Sequence, residues 1–169
     1  MAIRDALLPE FHYEMSVTRK LLERVPSGKN DWRPHPKSMP LGRLASHLAE
    51  IPGWAVNTLT QTELDLAPPA GQEWKPLILG SAAEMVALFD KGVKEAQQAL
   101  AATEDAAFGV SWSLKMGPRV VMTQPRAAVY RSFVMNHLIH HRAQLGVYLR
   151  LLDIPLPSTY GPTADEQGM

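Results

Sequence analysis

Cysteine is absent from the 169 residues of this chain. That excludes disulfides, a cysteine nucleophile and every thiolate metal ligand, so any transition-metal site has to be assembled from histidine and carboxylate. An excess of one charge is also missing. Lys+Arg and Asp+Glu each number 17, the net charge is +0, and no run of like charge stands out. This argues against nucleic acid as a partner, because phosphate binding needs a basic face. No apolar run reaches membrane-spanning length, and the opening Met1-Ala2-Ile3-Arg4-Asp5 does not read as a signal peptide. The expectation is a cytoplasmic protein with no membrane partner. What is present is globular composition, 46% hydrophobic and 20% charged. The length suits a single domain over residues 1–169 with a sizeable core.

Hydrophobic spacing predicts four amphipathic helices. The first covers about Asp5 to Arg24, with Leu7, Phe11, Thr18, Leu21, Leu22 and Val25 on one face and Glu14 intruding on that face. The second begins near Pro40 or Leu41 and carries Leu41, Leu44, Leu48, Ile51, Ala55 and Leu59, with Pro52 expected to kink it. The third starts at Ser81, where Ser81-Ala82-Ala83-Glu84 matches a capping box, and presents Met85, Phe89, Val93, Ala96 and Leu100. Alternation at Phe108, Val110, Trp112, Leu114 and Met116 then predicts a strand. Gly117-Pro118 turns it into a short β-hairpin with Val120 and Met122. The fourth helix runs from about Thr123–Pro125 to Leu152, and a proline-bearing tail follows. Segments 31–40 and 67–76 read as Pro-containing loops. The fold class is therefore mainly all-α: a four-helix bundle with long connections and a short hairpin before the last helix.

The fourth helix holds Asn136-His137-Leu138-Ile139-His140-His141-Arg142. His137 and His141 are four apart and project one above the other, within the stripe of Val134, Leu138, Leu145, Tyr148, Leu149 and Leu152. Imidazoles facing a core need partners there. His47 falls in the core-facing stripe of the second helix, next to Leu44 and Ile51, and is the candidate third ligand. Three neutral imidazoles with an open position describe a catalytic type of metal site, suited to zinc, nickel or iron. Periodicity equally allows ordinary core histidines bonded to a carbonyl or carboxylate. His140 projects about 100° away from His141 and reads as a flank residue. His12 and His35 read as surface histidines. Glu50, one turn past His47, is a candidate to accept its imidazole N–H, set against a plain solvated helix face. Glu14 is a candidate partner or base, or a helix-edge residue with a buried stem. Trp54, Trp112 and Tyr148 are candidates to line a pocket, although aromatics at such spacings also build cores.

The block Gly42-Arg43-Leu44-Ala45-Ser46-His47-Leu48-Ala49-Glu50-Ile51-Pro52-Gly53-Trp54, the run from Asn136 to Arg150 with its HxxxHRxQL pattern, and the tail from Ile154 to Glu166 with Tyr160-Gly161-Pro162 together resemble the DinB family, also described as DinB/YfiT-like metalloenzymes. With helix count and order, the resemblance spans essentially the whole chain. It implies a four-helix bundle in which His47, His137 and His141 hold a divalent metal, and a homodimer, since members are often dimers. Phe133, Val147 and Leu151 flank the main stripe and could be covered by a second copy. Characterised relatives include thiol-dependent S-transferases and isomerases that use bacillithiol, mycothiol or glutathione. The expected function is thus metal-dependent transfer of an external low-molecular-weight thiol to a small-molecule electrophile. The alternatives are metal-assisted hydrolysis and a non-catalytic metal- or ligand-binding stress protein.

Overall fold

In a computed structural model of the protein, residues 2–69, 72–73 and 75–167 are described. Helix α1 (Ile3–Leu22) is followed by α2 (Leu41–Thr60), β1 (Glu63–Asp65), α3 (Ala82–Ala102), the short α4 (Asp105–Phe108), β2 (Ser111–Met116) and β3 (Arg119–Pro125). The chain then turns helical without interruption. It passes from α5 (Arg126–Val129) through a π-helical stretch (Tyr130–Asn136) into α6 (His137–Leu151). The fold is mostly helical with a small three-stranded sheet.

The four long helical segments bury their apolar stripes against one another. Phe11 and Leu22 of α1, Leu41, Leu48 and Ile51 of α2, Phe89 and Leu100 of α3, and Leu138 and Leu149 of α6 share one core cluster and are almost fully buried. Removing that apolar area from water is the main stabilising term. Helices α2 and α3 approach closely because Gly92 has no side chain. A Cβ there would lie 3.1 Å from the Gly53 nitrogen and 3.2 Å from Pro52 Cβ. Helix α2 continues through Pro52. The start of α3 is fixed by Ser81, whose hydroxyl accepts from the Glu84 N–H, while Glu84 in turn accepts from the Gly80 N–H at 2.9 Å. At the other end of the chain, Asp153 adopts φ 57° and lets the Ile154 N–H reach the Leu149 carbonyl, which closes α6 in a Schellman-type turn.

The hairpin is present, with Gly117 at φ 58° in its turn and an irregular register between Leu114 and Lys115. Three features depart from expectation. Phe108 ends the short helix α4, so the strand begins only at Ser111. Strand β1 adds to the sheet in parallel with β2 and makes the order β1-β2-β3. The π-helical stretch lies within what reads as a plain α-helix. Of the 67–76 loop, Ala70, Gly71 and Trp74 lie outside the described residues; its other residues are largely without regular structure. The sheet packs through Trp112, Leu114 and Val129, with Phe133 and Met122 against them. The Trp112 indole donates to Asn57 Oδ1 of α2 at 3.2 Å. Among the described residues, no helix is long and apolar enough to cross a membrane.

Candidate metal centre

His47 lies on the face of α2 turned toward α6, and His137 and His141 occupy successive turns of α6. Helical geometry on each element therefore aims all three rings into one space. One ring nitrogen from each falls within 4.8 Å of the others. His47 Nε2 lies 3.1 Å from His137 Nε2, close to the roughly 3.3 Å that neighbouring nitrogens take around a tetrahedral ion. Ring centroids are 4.8 Å apart for His47–His141 and 4.6 Å for His137–His141. His47 and His141 are buried and His137 is half-buried.

The donor chemistry fits a divalent cation. A ligand imidazole must be unprotonated at the metal-facing nitrogen. Burial, reinforced by the neighbouring imidazoles, holds the His137 pKa down at about 4. Burial likewise lowers that of His141, against the opposing pull of its hydrogen bond to Gln144. Both rings are neutral at physiological pH. His141 Nδ1 lies 2.7 Å from Gln144 Oε1, and His47 Nδ1 lies 3.3 Å from Glu50 Oε2. An oxygen acceptor at Nδ1 favours the proton on that nitrogen, which leaves the Nε2 lone pair for a metal.

Aromatic rings wall the set. Trp54 packs edge-on against His47 and His137 at 5.2 and 5.3 Å, and stacks on Phe133 at 4.9 Å and 18°. Phe133 in turn meets His137 at 5.9 Å and Trp112 at 5.9 Å. Trp112 thus supports the wall from behind, through the sheet.

The other candidates are placed as follows. Glu50 is beside His47. Trp54 is at the site. Glu14 is not: its carboxylate takes a charge-assisted hydrogen bond from Arg142 Nη1 at 2.5 Å and another from the Tyr160 hydroxyl at 2.7 Å. Arg142 also donates to the Tyr160 oxygen at 2.7 Å. Glu14 broke the apolar stripe because Arg142 waited for it across the core. Tyr148, two turns beyond His141, donates to the Met39 carbonyl at 3.2 Å and meets Trp32 edge-on, so it belongs to the packing of α6 on the loop before α2. His140 is exposed, its ring 5.0 Å from that of His141. His12 and His35 are exposed. Gln144, Arg43 and Phe133 stand at the site without having been singled out for it. The signal for the first two was helical spacing: Gln144 follows His141 by three residues, and Arg43 precedes His47 by four.

A groove of about 470 Å³ lies elsewhere, between the end of α1, the outer face of α6 and the tail. Leu21, Ala143, Val147, Leu151, Leu156 and Tyr160 line it, and none of the three histidines does. Its walls are mainly apolar, and it offers no convergent ligand set of its own.

Among curated proteins none matches this chain. Among solved structures, a DinB-like protein from Bacillus cereus ATCC 10987 superposes with a TM-score of 0.69 at 22% identity, over 94% of this chain and 98% of the other. A DinB-like protein from Bacillus subtilis superposes with a TM-score of 0.67 at 18% identity, over 96% and 99%. At such identities the likeness is one of fold. The sequence itself matches the DinB superfamily over residues 10–145, a span that runs from α1 into α6 and includes His47, His137 and His141, and the chain therefore belongs to the DinB superfamily.

Proposed function

We propose that this protein is a divalent-metal-dependent enzyme that transfers a low-molecular-weight thiol to a small electrophile. The observation that supports it most is the convergence of three imidazoles, with an oxygen within hydrogen-bonding distance of Nδ1 on both His47 and His141. Zinc, nickel or iron would suit three nitrogens with a vacant position. Such an ion would supply the Lewis acidity that keeps a thiol sulfur ionised at neutral pH. The rest is done by the chain. Gln144 favours the ligand tautomer of His141, and Glu50 favours that of His47. The Trp54–Phe133 stack excludes water on one side and offers a flat apolar face to the substrate. The chain has no cysteine, so the sulfur must arrive from outside. In this reading α1, α2, α3 and the 126–151 rod form a four-helix bundle whose facing helices supply the ligands. The use of a free thiol goes with a reducing compartment such as the cytoplasm.

Hydrolysis at the same centre would call for a carboxylate base. Glu14 is engaged by Arg142 and Tyr160, and Glu50 by Arg43 and His47, which puts thiol transfer first. The test is metal analysis of protein purified without a histidine tag, then titration of the cobalt- or nickel-loaded protein with low-molecular-weight thiols while following its absorption spectrum. One equivalent of metal and a new sulfur-to-metal absorption band are expected, with turnover of electrophiles only when thiol and metal are both present. Turnover of ester or amide substrates without thiol would shift the reading to hydrolysis. Metal binding with neither response would make the protein a metal-binding module.

A further inference from the structure

Two groups of opposite charge meet one ring nitrogen. His47 Nδ1 lies 3.2 Å from Arg43 Nη2 and 3.3 Å from Glu50 Oε2, and Arg43 and Glu50 are themselves ion-paired at 3.2 Å. A guanidinium can only donate and an ionised carboxylate can only accept. The two contacts therefore demand opposite tautomers of the same imidazole. With the proton on Nδ1, the ring donates to Glu50 and Nε2 keeps its lone pair. With Nδ1 bare, the ring accepts from Arg43 and the proton sits on Nε2, which is then hydrogen-bonded to His137 Nε2 at 3.1 Å. Only the first tautomer can bind a cation through Nε2. The Arg43 and Glu50 side chains are 12% and 23% exposed, so the choice is made by protein groups more than by water.

We propose that Arg43 and Glu50 are an opposed pair of positioning residues that sets the tautomer of His47, with Glu50 favouring metal capture and Arg43 restraining it. The proposal rests on the metal-centre reading above. Charge acts in the same direction as the hydrogen bonds. Arg43 places a positive charge beside a site meant for a cation, and Glu50 places a negative one. Arg43 Nη1 also donates to the Leu77 carbonyl, 3.2 Å away in the segment leading to α3. This ties the restraint to a connection outside the helices and gives the guanidinium a second place to stay when its hold on His47 is lost.

The test uses full-length, tag-free protein freed of metal by chelation, with zinc alone as titrant in calorimetry. Imidazole nitrogen chemical shifts read the His47 tautomer before metal is added. Glu50→Met should move His47 toward the Nε2-protonated form and weaken zinc binding by about 10–100-fold, with Glu50→Gln intermediate because its amide oxygen still accepts. Arg43→Met should move the ring toward the Nδ1-protonated form and tighten binding by about 3–10-fold, as expected for removing a positive charge near a cation in a half-buried setting. Arg43→Lys should stay near the wild type. If Arg43→Met weakens binding alongside Glu50→Met, or leaves the tautomer where it was, Arg43 merely props Glu50 and the proposal is overturned. If the tautomers move as stated but the wild type takes up no zinc, or His137→Ala binds it as tightly as the wild type, the metal reading itself fails, and the affinity half of the proposal falls with it.

Discussion

At the residue scale, His140 and His141 are neighbours with the same chemistry and opposite surroundings. His141 is buried, bonded to Gln144 and within ligand distance of His47 and His137, whereas His140 is exposed. His141→Ala should therefore lose most metal occupancy, since it removes one donor of three, while His140→Ala keeps it. Metal content of the two purified variants decides this, and equal loss in both would mean that His140 is an essential part of the centre. The His137 ring carries a second prediction. Its pKa is about 4 in the folded chain, against roughly 6.5 for an unperturbed histidine. Between those values the unfolded chain binds a proton that the folded one refuses. Its contribution to stability is thus complete above pH about 6.5 and is lost as pH falls toward 4. Denaturation midpoints measured in the presence of chelator should drop between pH 7 and 4.5, and His137→Asn should flatten that slope. A wild-type slope no steeper than that of the variant would contradict the placement of this ring.

At the scale of elements, α1, α6 and the tail are held together by one buried ion pair. Glu14 and Arg142 side chains are 6% and 4% exposed, and Tyr160 brings the tail onto both of them. Removing one partner strands a charge in the core. Arg142→Ala should cost about 3–5 kcal/mol in urea denaturation, whereas the double change Glu14→Leu with Arg142→Met should recover most of that loss. If the double variant is as unstable as the single one, the pair would be doing more than satisfying itself, as an organiser of the tail. The π-helical stretch belongs to this scale too. It changes the helical phase just before His137 and places Phe133 against Trp54, Trp112 and His137. π-Helical turns recur at functional sites for this reason: they re-aim one face of a helix without ending it.

At the scale of the whole molecule, we propose a homodimer. Of the three apolar residues that flank the main stripe, Phe133 is covered within the chain by Trp54 and Trp112, but Val147 and Leu151 remain 59% and 57% exposed beside the apolar groove. A second copy laid along α6 would remove both from water. Light scattering should give a dimer for the wild type and a monomer for Leu151→Asp with Val147→Asp. A monomeric wild type at micromolar concentration would reject this, and the groove would then want another occupant.

Much of this was legible in sequence because it is local. Helical period, the Ser81 cap, the Gly117-Pro118 turn and the four-residue spacing of His137 and His141 are fixed by neighbours along the chain, so the stripes, the hairpin and the facing histidines could be read from the residues themselves. The anomaly of Glu14 was visible too, but its partner lies 128 residues away, and no pattern in α1 could say that the answer was Arg142 and not a ligand histidine. The same holds for Tyr148, whose place depends on the loop that crosses it. Strand β1 is three residues long and exists only because β2 offers it an edge, and the π-helical turn depends on packing against the sheet more than on any propensity of its own. The contest between Arg43 and Glu50 over one imidazole nitrogen is likewise invisible in one dimension. Spacing put both near His47, but which atom each reaches is settled by how α2 is pressed between its neighbours, because hydrogen bonds depend on distances of tenths of an ångström while hydrophobic period depends only on which face a residue occupies.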